Sequence, residues 1–489
     1  MNKSISIIGS GFSSLSAACY LAKQGNRVTV YEKNNQFGGR ARQLKIKGFT
    51  FDMGPSFYWM PDVFDRFFND FNKKTSDYYE LTKLNPGYSV YFDKNNTIPI
   101  EDSLEKICER FEKIEAGSSK KLKKFIYNAK DNYRVAVLDM IYRMPGESPL
   151  ELITIDTIKK ARYFLTNIRK EVRKDFKNPM LRAILEFPVL FLGAKPSDTP
   201  AFYNFMNFAD FGLGTFQPKN GFYDVVQGMI SLGKSLGVSF KNNSDVKKII
   251  TKENKLVGLE INENFIECDI VISGADYNFT EKLLPKNLRQ YSEKYWDKRT
   301  LAPSSLLFYV GFNKKLNNIK HHNLIFDTDF DQHAVEIYDN PKWPTNPLLY
   351  ASFTSKTHKH TAPEGCENGV FLIPIAPNLE DNQQIRDKYF DILINKLEKI
   401  TKQELRDNII CQESYCVNDF INDYNSYKGN AYGLANTLLQ TAFLRPRLRS
   451  KKVTNLYFCG QLTVPGPGVP PALVSGKLVS DLVMKYEKN

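Results

Sequence analysis

The residues best suited to hold a ligand stand at the start of the chain, where Gly9 and Gly11 follow an apolar run at residues 5–8. That run has the β-branched composition of a buried parallel strand. Apolar residues at helical spacing follow the glycines, and Glu32 ends a second apolar run about 20 residues further on. Glycines at a strand-to-helix turn admit a pyrophosphate, and an acid at this distance binds a ribose hydroxyl. The spacing therefore predicts a dinucleotide-binding βαβ unit.

The third small position of this pattern holds Ser14, where glycine or alanine is usual. The role of this position is to let the helix pack closely on the strand. Because serine adds only a hydroxyl to alanine, we expect a slight cost in packing and an unchanged fold.

More glycines and a cation follow soon after the acid. Gly39 lets the backbone pass close to a bound cofactor, and the Arg40 guanidinium can neutralise phosphate charge. A dehydrogenase that binds only a nicotinamide cofactor has no general need of this second glycine pair. Gly54 and Pro55 then predict a tight turn after a strand, a signal equally typical of a plain surface turn.

A second candidate site lies near the C-terminus, where an apolar strand at residues 456–458 stops before Gly460. A loop rich in proline and glycine follows, and a helix is predicted from about Pro471 to Met484. Strand, loop and helix N-terminus together suit a large anionic or electron-accepting group. We expect helix N–H groups near Val469 to Ala472 to stabilise negative charge there. The alternative is a proline-rich connector before a terminal helix.

Taken together, these motifs resemble the bacterial carotenoid (phytoene) desaturase family of flavoproteins over nearly the whole chain. Residues 9–14, 32–40 and 52–55 are similar to its N-terminal FAD-binding region. The segments similar to its C-terminal signature are residues 429–435, 440–446, 456–460, 465–470 and 475–477. The resemblance implies FAD as cofactor, with its isoalloxazine ring at the C-terminal loop and its adenosine half beside Val246. The FAD-binding residues that it implies are Gly9, Gly11, Ser14, Glu32, Gly39, Arg40, Gly54, Pro55, Val246, Gly460, Val469 and Pro470.

We therefore expect an α/β fold with a Rossmann-like FAD-binding domain, a mixed-sheet substrate domain and a helical, membrane-facing subdomain. The expected FAD-binding domain is discontinuous, with the helical part and the substrate domain inserted into it. Its parts are residues 1–60, 215–280 and 430–489, the helical part is 61–214, and the substrate domain is 281–429.

Composition limits the binding partners and the cellular location that we expect. The 489 residues carry a formal charge of +13 and seven cysteines without a Cys-x-x-Cys pair, which argues against a disulfide framework or a zinc site. Nothing typical of a signal peptide precedes the first strand, and no apolar run is long enough to span a membrane. No nucleic-acid-binding motif accounts for the charge, so an anionic membrane surface is the preferred partner. We expect a cytoplasmic protein associated peripherally with the inner face of the cell membrane.

The basic charge is concentrated between Lys159 and Arg182, with nine basic residues against two acids. Apolar residues recur there at helical spacing, namely Ile158, Leu165, Ile168, Val172 and Phe176. An apolar stripe beside a basic face predicts a helix lying in a membrane interface. The alternative is a solvated helix that packs on its own protein.

The five histidines predict no metal site. His321 and His322 are adjacent, so on a strand their side chains face opposite ways, and no carboxylate cluster accompanies them.

The resemblance implies FAD-dependent desaturation of a long apolar polyene, phytoene toward lycopene, by hydride transfer to the flavin. The sequence singles out no catalytic acid or base, although Asp139 and Arg143 are candidates. One alternative is another carotenoid desaturase, an isomerase or an amine-oxidase-like flavoenzyme. An alternative of a different class is a prenyl-protein-binding module of the GDP-dissociation-inhibitor type, which performs no redox chemistry.

Overall fold

The computed structural model describes residues 2–93 and 95–487, and these form two main sheets joined by a helical region. The strands β1–β19 are, in order, Ser4–Ile8, Arg27–Tyr31, Gln43–Ile46, Phe49–Asp52, Leu81–Lys83, Tyr88–Tyr91, Thr97–Ile100, Phe216–Pro218, Ser239–Lys241, Val246–Lys252, Lys255–Ile261, Asn264–Glu267, Ile270–Ser273, Ser304–Phe312, His322–Ile325, Leu349–Ser352, Glu367–Ile375, Ile409–Tyr415 and Leu456–Phe458. The helices α1–α17 are Phe12–Lys23, Pro61–Asn69, Leu104–Ile114, Ser118–Val135, Ile141–Arg143, Ile155–Lys159, Ala161–Phe164, Ile168–Asp175, Pro179–Glu186, Phe205–Phe208, Phe222–Ser235, Tyr277–Lys282, Glu293–Asp297, Phe330–Tyr338, Gln383–Thr401, Val417–Tyr424 and Val469–Tyr486.

The first sheet is parallel and has the order β19-β13-β1-β2-β9. Its strands come from three distant stretches of the chain: two from the start, two from the middle and one from near the end. Strand β1 is apolar and buried because both faces of a parallel sheet are covered by helices. The α/β class predicted from the sequence is confirmed.

Helices α1 and α17 pack closely against each other on this sheet. The Ser16 hydroxyl donates to the Leu473 carbonyl at 2.7 Å. A Cβ atom placed on Gly476 would lie 2.3 Å from the Ser13 carbonyl oxygen, so only glycine allows this approach. The first and last helices of the chain therefore lie side by side.

The second sheet is mixed and has the order β18-β14-β17-β16-β15-β6-β7, with β15 and β6 parallel and the other neighbours antiparallel. Helix α15 covers one face of it, with Leu393, Ile394 and Leu397 fully buried. Strands β10–β12 form a separate antiparallel sheet beside the parallel one. Smaller pairs are β3–β4 and β5–β8.

The basic stretch 159–182 does not form the single amphipathic helix that its periodicity predicts. It is divided among the end of α6, α7, α8 and the start of α9. Of the predicted stripe, Ile168, Val172 and Phe176 are fully buried within the protein. Only Ile158 and Leu165 are exposed, at 65% and 87%. The periodic signal from 168 to 176 therefore marks an internal packing face.

Two arginines of α8 also form ion pairs with acidic residues of the same protein. Arg173 Nε lies 3.0 Å from Glu186 Oε1, and Glu186 is buried. Arg169 forms an ion pair with Asp331 on α14. The exposed lysines of this helix, Lys170 and Lys174, form no ion pair with another described residue.

Candidate functional site

The first turn after β1 has the geometry of a phosphate-binding loop. Gly9 has φ +83° and its N–H donates to the Tyr31 carbonyl at 2.8 Å, which fixes the turn against β2. A Cβ atom on Gly11 would meet nothing within 4 Å, because this position faces a large cavity. Helix α1 begins at the next residue, so its N-terminal N–H groups point toward the same space.

Glu32, at the end of β2, holds the neighbouring loops together. Its Oε2 accepts from the Ser10 N–H at 3.0 Å and from the Ser10 hydroxyl at 2.6 Å. Its Oε1 accepts from the Asn34 N–H at 3.0 Å. The Ser10 hydroxyl oxygen in turn accepts from the Gly38 N–H at 3.0 Å. The predicted acid therefore lines the cavity and also fixes both glycine-containing turns.

The second glycine segment lies directly on the first. Gly39 has φ +56°, and a Cβ atom there would lie 3.3 Å from the Gly11 Cα. Arg40 lines the cavity, and its NH2 group donates to the Asn430 carbonyl at 3.3 Å. A Cβ atom on Gly54 would lie only 2.0 Å from the Arg40 carbonyl oxygen, so glycine is required for this contact. Pro55 follows and also lines the cavity.

Two predicted site residues have different environments. Val246 begins β10, is buried and lines the cavity beside the first turn. Ser14 is fully buried and does not line the cavity. A Cβ atom on Gly274 of the loop after β13 would lie 2.1 Å from its hydroxyl oxygen. Ser14 therefore serves the helix-on-sheet packing that its position in the pattern predicts.

The C-terminal loop completes this wall of the cavity. Gly460, Val469 and Pro470 line it, and Gly460 has φ +104° with its N–H donating to the Ser475 hydroxyl at 3.0 Å. The loop is organised by Arg445, a buried residue that was not among the predicted site residues. Its guanidinium donates to the Thr463 carbonyl at 2.8 Å and to four further acceptors.

The expected set of helix N–H groups from Val469 to Ala472 is wrong in detail. Pro470 and Pro471 have no N–H, and the Ala472 N–H donates to the Gly468 carbonyl at 3.0 Å. This leaves the Val469 N–H as the donor of this turn that a ligand can reach. The helix dipole of α17 still favours negative charge at its N-terminus.

One cavity of about 870 Å³ connects these loops with an apolar region. Eleven of the twelve predicted FAD-binding residues line it, Ser14 being the exception. Its far part lies between the mixed sheet and the helical region, and its lining there is mostly aliphatic and aromatic. Examples of that lining are Met140, Leu152, Phe187, Phe202, Phe205, Phe326 and Phe330. A nucleotide-binding end and a long apolar end therefore share a single space.

A polar cluster interrupts the apolar wall. The Tyr350 hydroxyl donates to Ser56 Oγ at 2.8 Å and lies 2.8 Å from His322 Nδ1, and both Tyr350 and Ser56 line the cavity. The His322 ring stacks on Phe57, with ring centroids 4.3 Å apart. The sequence analysis missed this cluster, because the two adjacent histidines were assessed only as metal ligands. Their position at the start of a strand was the available signal.

The candidates Asp139 and Arg143 form an ion pair with each other at the surface, and neither lines the cavity. Among the described residues, no three His, Cys, Asp or Glu side chains are grouped closely enough to hold a metal ion.

No helix in the described part of the chain is long and apolar enough to cross a membrane.

The residues around the first turn fit FAD. The open direction at Gly11 leaves room for a pyrophosphate against the backbone. The Arg40 Nε is buried and has no hydrogen-bond partner among the described residues, and burial lowers the pKa of this guanidinium. A buried cation with an unpaired N–H calls for an anionic partner. The chain would hold the phosphates at Gly11 and Arg40, the ribose at Glu32 and the flavin ring at the C-terminal loop.

Comparison with known proteins agrees with this geometry. The family described as "Flavin containing amine oxidoreductase" matches residues 12–484. The chain is 38% identical over 485 residues to a carotenoid 3,4-desaturase of Haloarcula japonica, covering 98% of both chains. It is 31% identical over 502 residues to a 4,4'-diapophytoene desaturase (4,4'-diaponeurosporene-forming) of Staphylococcus haemolyticus, again over 98% of both.

Solved structures share the fold at low sequence identity. An oxidoreductase from Methanosarcina mazei superposes with a TM-score of 0.64 at 16% identity, covering 98% of this chain and all of that one. A putative protoporphyrinogen oxidase from Exiguobacterium gives a TM-score of 0.62 at 13% identity, with 99% of each chain covered.

Proposed function

The chain belongs to the flavin-containing amine oxidoreductase family and is an FAD-dependent enzyme, and on that premise we propose that it desaturates an acyclic carotenoid. The observation that carries the proposal is the shared cavity, in which the FAD-binding loops open into a long apolar space. A polyene without polar groups can be recognised only by shape and apolar burial, and this lining provides both. The names of the two curated relatives support a carotenoid substrate.

The chain's own residues would align the substrate and keep water away. Phe187, Phe202 and Phe326 offer apolar surfaces along which an extended chain can lie, so that one methylene carbon faces the C-terminal loop. The Val469 N–H and the dipole of α17 stabilise negative charge at that loop. Bound FAD would supply the hydride acceptor, and loss of a proton from the neighbouring substrate carbon would give the new double bond.

We infer that the substrate is phytoene and that repeated steps lead toward lycopene, as the sequence predicts. The relatives make two competing substrates worth testing: a diapophytoene, and a carotenoid with a saturated 3,4 bond.

We further propose that the open end of the cavity rests on a membrane. Five exposed apolar residues lie between 150 and 165, namely Leu150, Ile153, Ile155, Ile158 and Leu165. Leu438, Leu439 and Leu444 are also exposed and line the cavity, as Leu152 does. We call these eight exposed residues the rim patch. An apolar rim, with the exposed Lys159 next in the chain to Ile158, suits an anionic bilayer.

The function is tested by expression in three hosts that accumulate phytoene, 4,4'-diapophytoene, or a carotenoid with a saturated 3,4 bond. We expect new, longer-wavelength pigments in at least one host, with phytoene the predicted one. A Gly11→Ala variant, which should lose FAD, serves as the inactive control. Unchanged carotenoids in all three hosts, with flavin-loaded protein present, would reject the proposal.

The observations weigh differently against the two alternatives, a prenyl-protein-binding module and an amine-oxidase-like enzyme. The non-redox prenyl-binding module is disfavoured, because the chain belongs to a family of flavin enzymes. An amine-oxidase-like activity is possible within the family but fits the substrate end poorly. A small polar amine gains little from a large apolar lining, and the far lining of this cavity is mostly aliphatic and aromatic.

A further inference from the structure

The polar cluster of Tyr350, Ser56 and His322 lies in a cavity wall that is otherwise mostly apolar. It interrupts a wall that otherwise suits a hydrocarbon, and buried polar groups in such a wall carry a free-energy cost. The Tyr350 hydroxyl has one proton but two partners at 2.8 Å, so it must donate to one and accept from the other. In the arrangement that can pass a proton, the Ser56 hydroxyl donates to Tyr350, and Tyr350 donates to Nδ1 of a His322 ring whose own proton is on Nε2.

Further histidines continue from the cluster toward the surface. The rings of His322 and His321 are edge to face with centroids 4.3 Å apart. His321 Nδ1 lies 2.8 Å from the Thr357 hydroxyl, next in the chain to His358. The rings of His358 and His360 have centroids 6.0 Å apart, and His360 is exposed. These four histidines therefore form two ring pairs between the cavity wall and the surface, and no hydrogen bond between the rings is present among the described residues.

The buried imidazoles are available as proton acceptors. His321 and His322 are buried, at 4% and 0% exposure, and their Nε2 atoms have no hydrogen-bond partner among the described residues. Burial lowers the pKa of His322 well below its usual value and that of His321 to about 3. Both rings are therefore neutral at physiological pH, and a proton placed on one is released readily to the next acceptor.

The proposed desaturation releases one proton for each new double bond, inside a cavity built to exclude water. Resting on that proposed function, we propose that Tyr350 accepts this proton and that His322 receives it through Tyr350. The C–H bond next to the oxidised carbon breaks, and its electron pair forms the C=C bond. Its proton binds the Tyr350 oxygen while the hydroxyl proton of Tyr350 moves to His322 Nδ1. The resulting imidazolium then gives up its Nε2 proton to a water molecule or to His321, whose ring centroid lies 4.3 Å away.

The test combines two variants with one matched control. Tyr350→Phe removes the hydroxyl and keeps the ring. His322→Asn keeps a hydrogen-bonding amide near the Nδ1 position but cannot accept a proton. The control is Tyr91→Phe, which removes a buried hydroxyl from the same sheet, where it donates to the Asn318 carbonyl away from the cavity. Flavin content and melting temperature are measured for each purified variant.

We expect both site variants to lose roughly 10²-fold in desaturation rate, with flavin content and polyene binding unchanged. With substrate deuterated at one carbon at a time, Tyr350→Phe should raise the isotope effect at the proton-losing carbon only. The control should match the parent protein.

The outcomes separate the two proposals. Full activity in Tyr350→Phe would overturn the relay and leave the proposed desaturase function unaffected. If Tyr350→Phe does not fold, full activity in His322→Asn would have the same meaning. An activity loss in Tyr350→Phe that His322→Asn does not share would reduce His322 to an orienting role and also overturn it. If the parent protein converts no carotenoid, both proposals fail together.

Discussion

Glu32 and Ser10 form a hydrogen-bonded pair in which one carboxylate oxygen accepts both the backbone N–H and the hydroxyl of the serine, at 3.0 and 2.6 Å. The other carboxylate oxygen accepts from the Asn34 N–H. The acid at the end of β2 therefore has a structural task in addition to binding a ribose. It holds the first turn in place, and through Ser10 it holds Gly38.

Replacement of Glu32 by Gln should weaken FAD binding by about 1.5–3 kcal/mol, or roughly 10- to 150-fold in Kd. An amide has one acceptor oxygen, so one group of donors is left without a partner. Fluorescence titration of the apoprotein with FAD measures the effect. Glu263→Gln, on an exposed turn, is the control. Equal affinities in the parent and in Glu32→Gln would contradict this role.

Gly11→Ala should abolish FAD binding without destabilising the apoprotein. The added methyl group meets no protein atom within 4 Å, and the residue has an ordinary φ of −69°, so the fold can accept it. The methyl group would instead occupy the space next to the helix N-terminus that suits a phosphate. Apoprotein melting and flavin content together check this. A variant that binds FAD normally would show that the phosphates lie elsewhere.

Gly54→Ala should instead destabilise the apoprotein itself, whether or not FAD is present. Its Cβ atom would lie 2.0 Å from the Arg40 carbonyl oxygen, and a backbone atom cannot give way as a flexible side chain can. We expect a destabilisation of about 2 kcal/mol or more. Melting curves recorded in parallel with Gly11→Ala provide the comparison. The expectation fails if both apoproteins melt together.

The stability of the protein should fall as pH rises toward 8, and Asp210 should account for part of the fall. Asp210 is buried, the Tyr88 hydroxyl donates to it at 2.6 Å, and burial raises its pKa to about 8 from a usual 3.8. Between these values the folded protein retains a proton that the unfolded chain has released, so stability declines with pH.

Asp210→Asn removes this proton exchange and keeps an acceptor for Tyr88. Its melting temperature should therefore depend less on pH between 6 and 9 and exceed that of the parent at the upper end. Asp407→Asn, at an exposed position, should leave the parent's pH dependence unchanged. Parallel curves for the parent and Asp210→Asn would show that Asp210 is ionised in the folded protein.

Liposome binding should depend on the rim patch more than on the arginines of α8. Leu165→Glu combined with Leu439→Glu should reduce co-sedimentation with anionic vesicles, because both side chains are more than 70% exposed and Leu439 lines the cavity. Phe265→Glu, at an exposed position on β12, is the matched control. Charge reversal at Arg173 is a poor test, because it removes one of the two arginines paired with the buried Glu186 and places a like charge beside it. Unchanged co-sedimentation of the double variant would reject membrane docking by this patch.

Local patterns predicted the elements of the fold well. The helix expected from about Pro471 to Met484 is observed at Val469–Tyr486. Short strands that end at a glycine, such as β1, were also recognisable, because burial on both faces requires mostly apolar, β-branched residues.

What could not be predicted depends on partners distant in sequence. The apolar periodicity from 168 to 176 has the same appearance whether it meets lipid or protein, and only the fold shows that it is internal. The pairing of Tyr350 with His322 arises because β15 and β16 are antiparallel neighbours, which no local pattern specifies. Ser14 was predictable as a packing residue but lies outside the cavity that its eleven companions line.

The order of the parallel sheet has a consequence for how this protein is made. Strand β13 pairs on one side with β1 and on the other with β19, more than 180 residues further along the chain. During synthesis that edge of β13 stays open until the last strand leaves the ribosome, and an open parallel edge invites pairing with other chains. The C-terminal loop that is expected to hold the flavin ring follows β19, so the ring cannot be bound before then. A protein truncated before residue 456 should therefore aggregate, and excess cofactor should not rescue it.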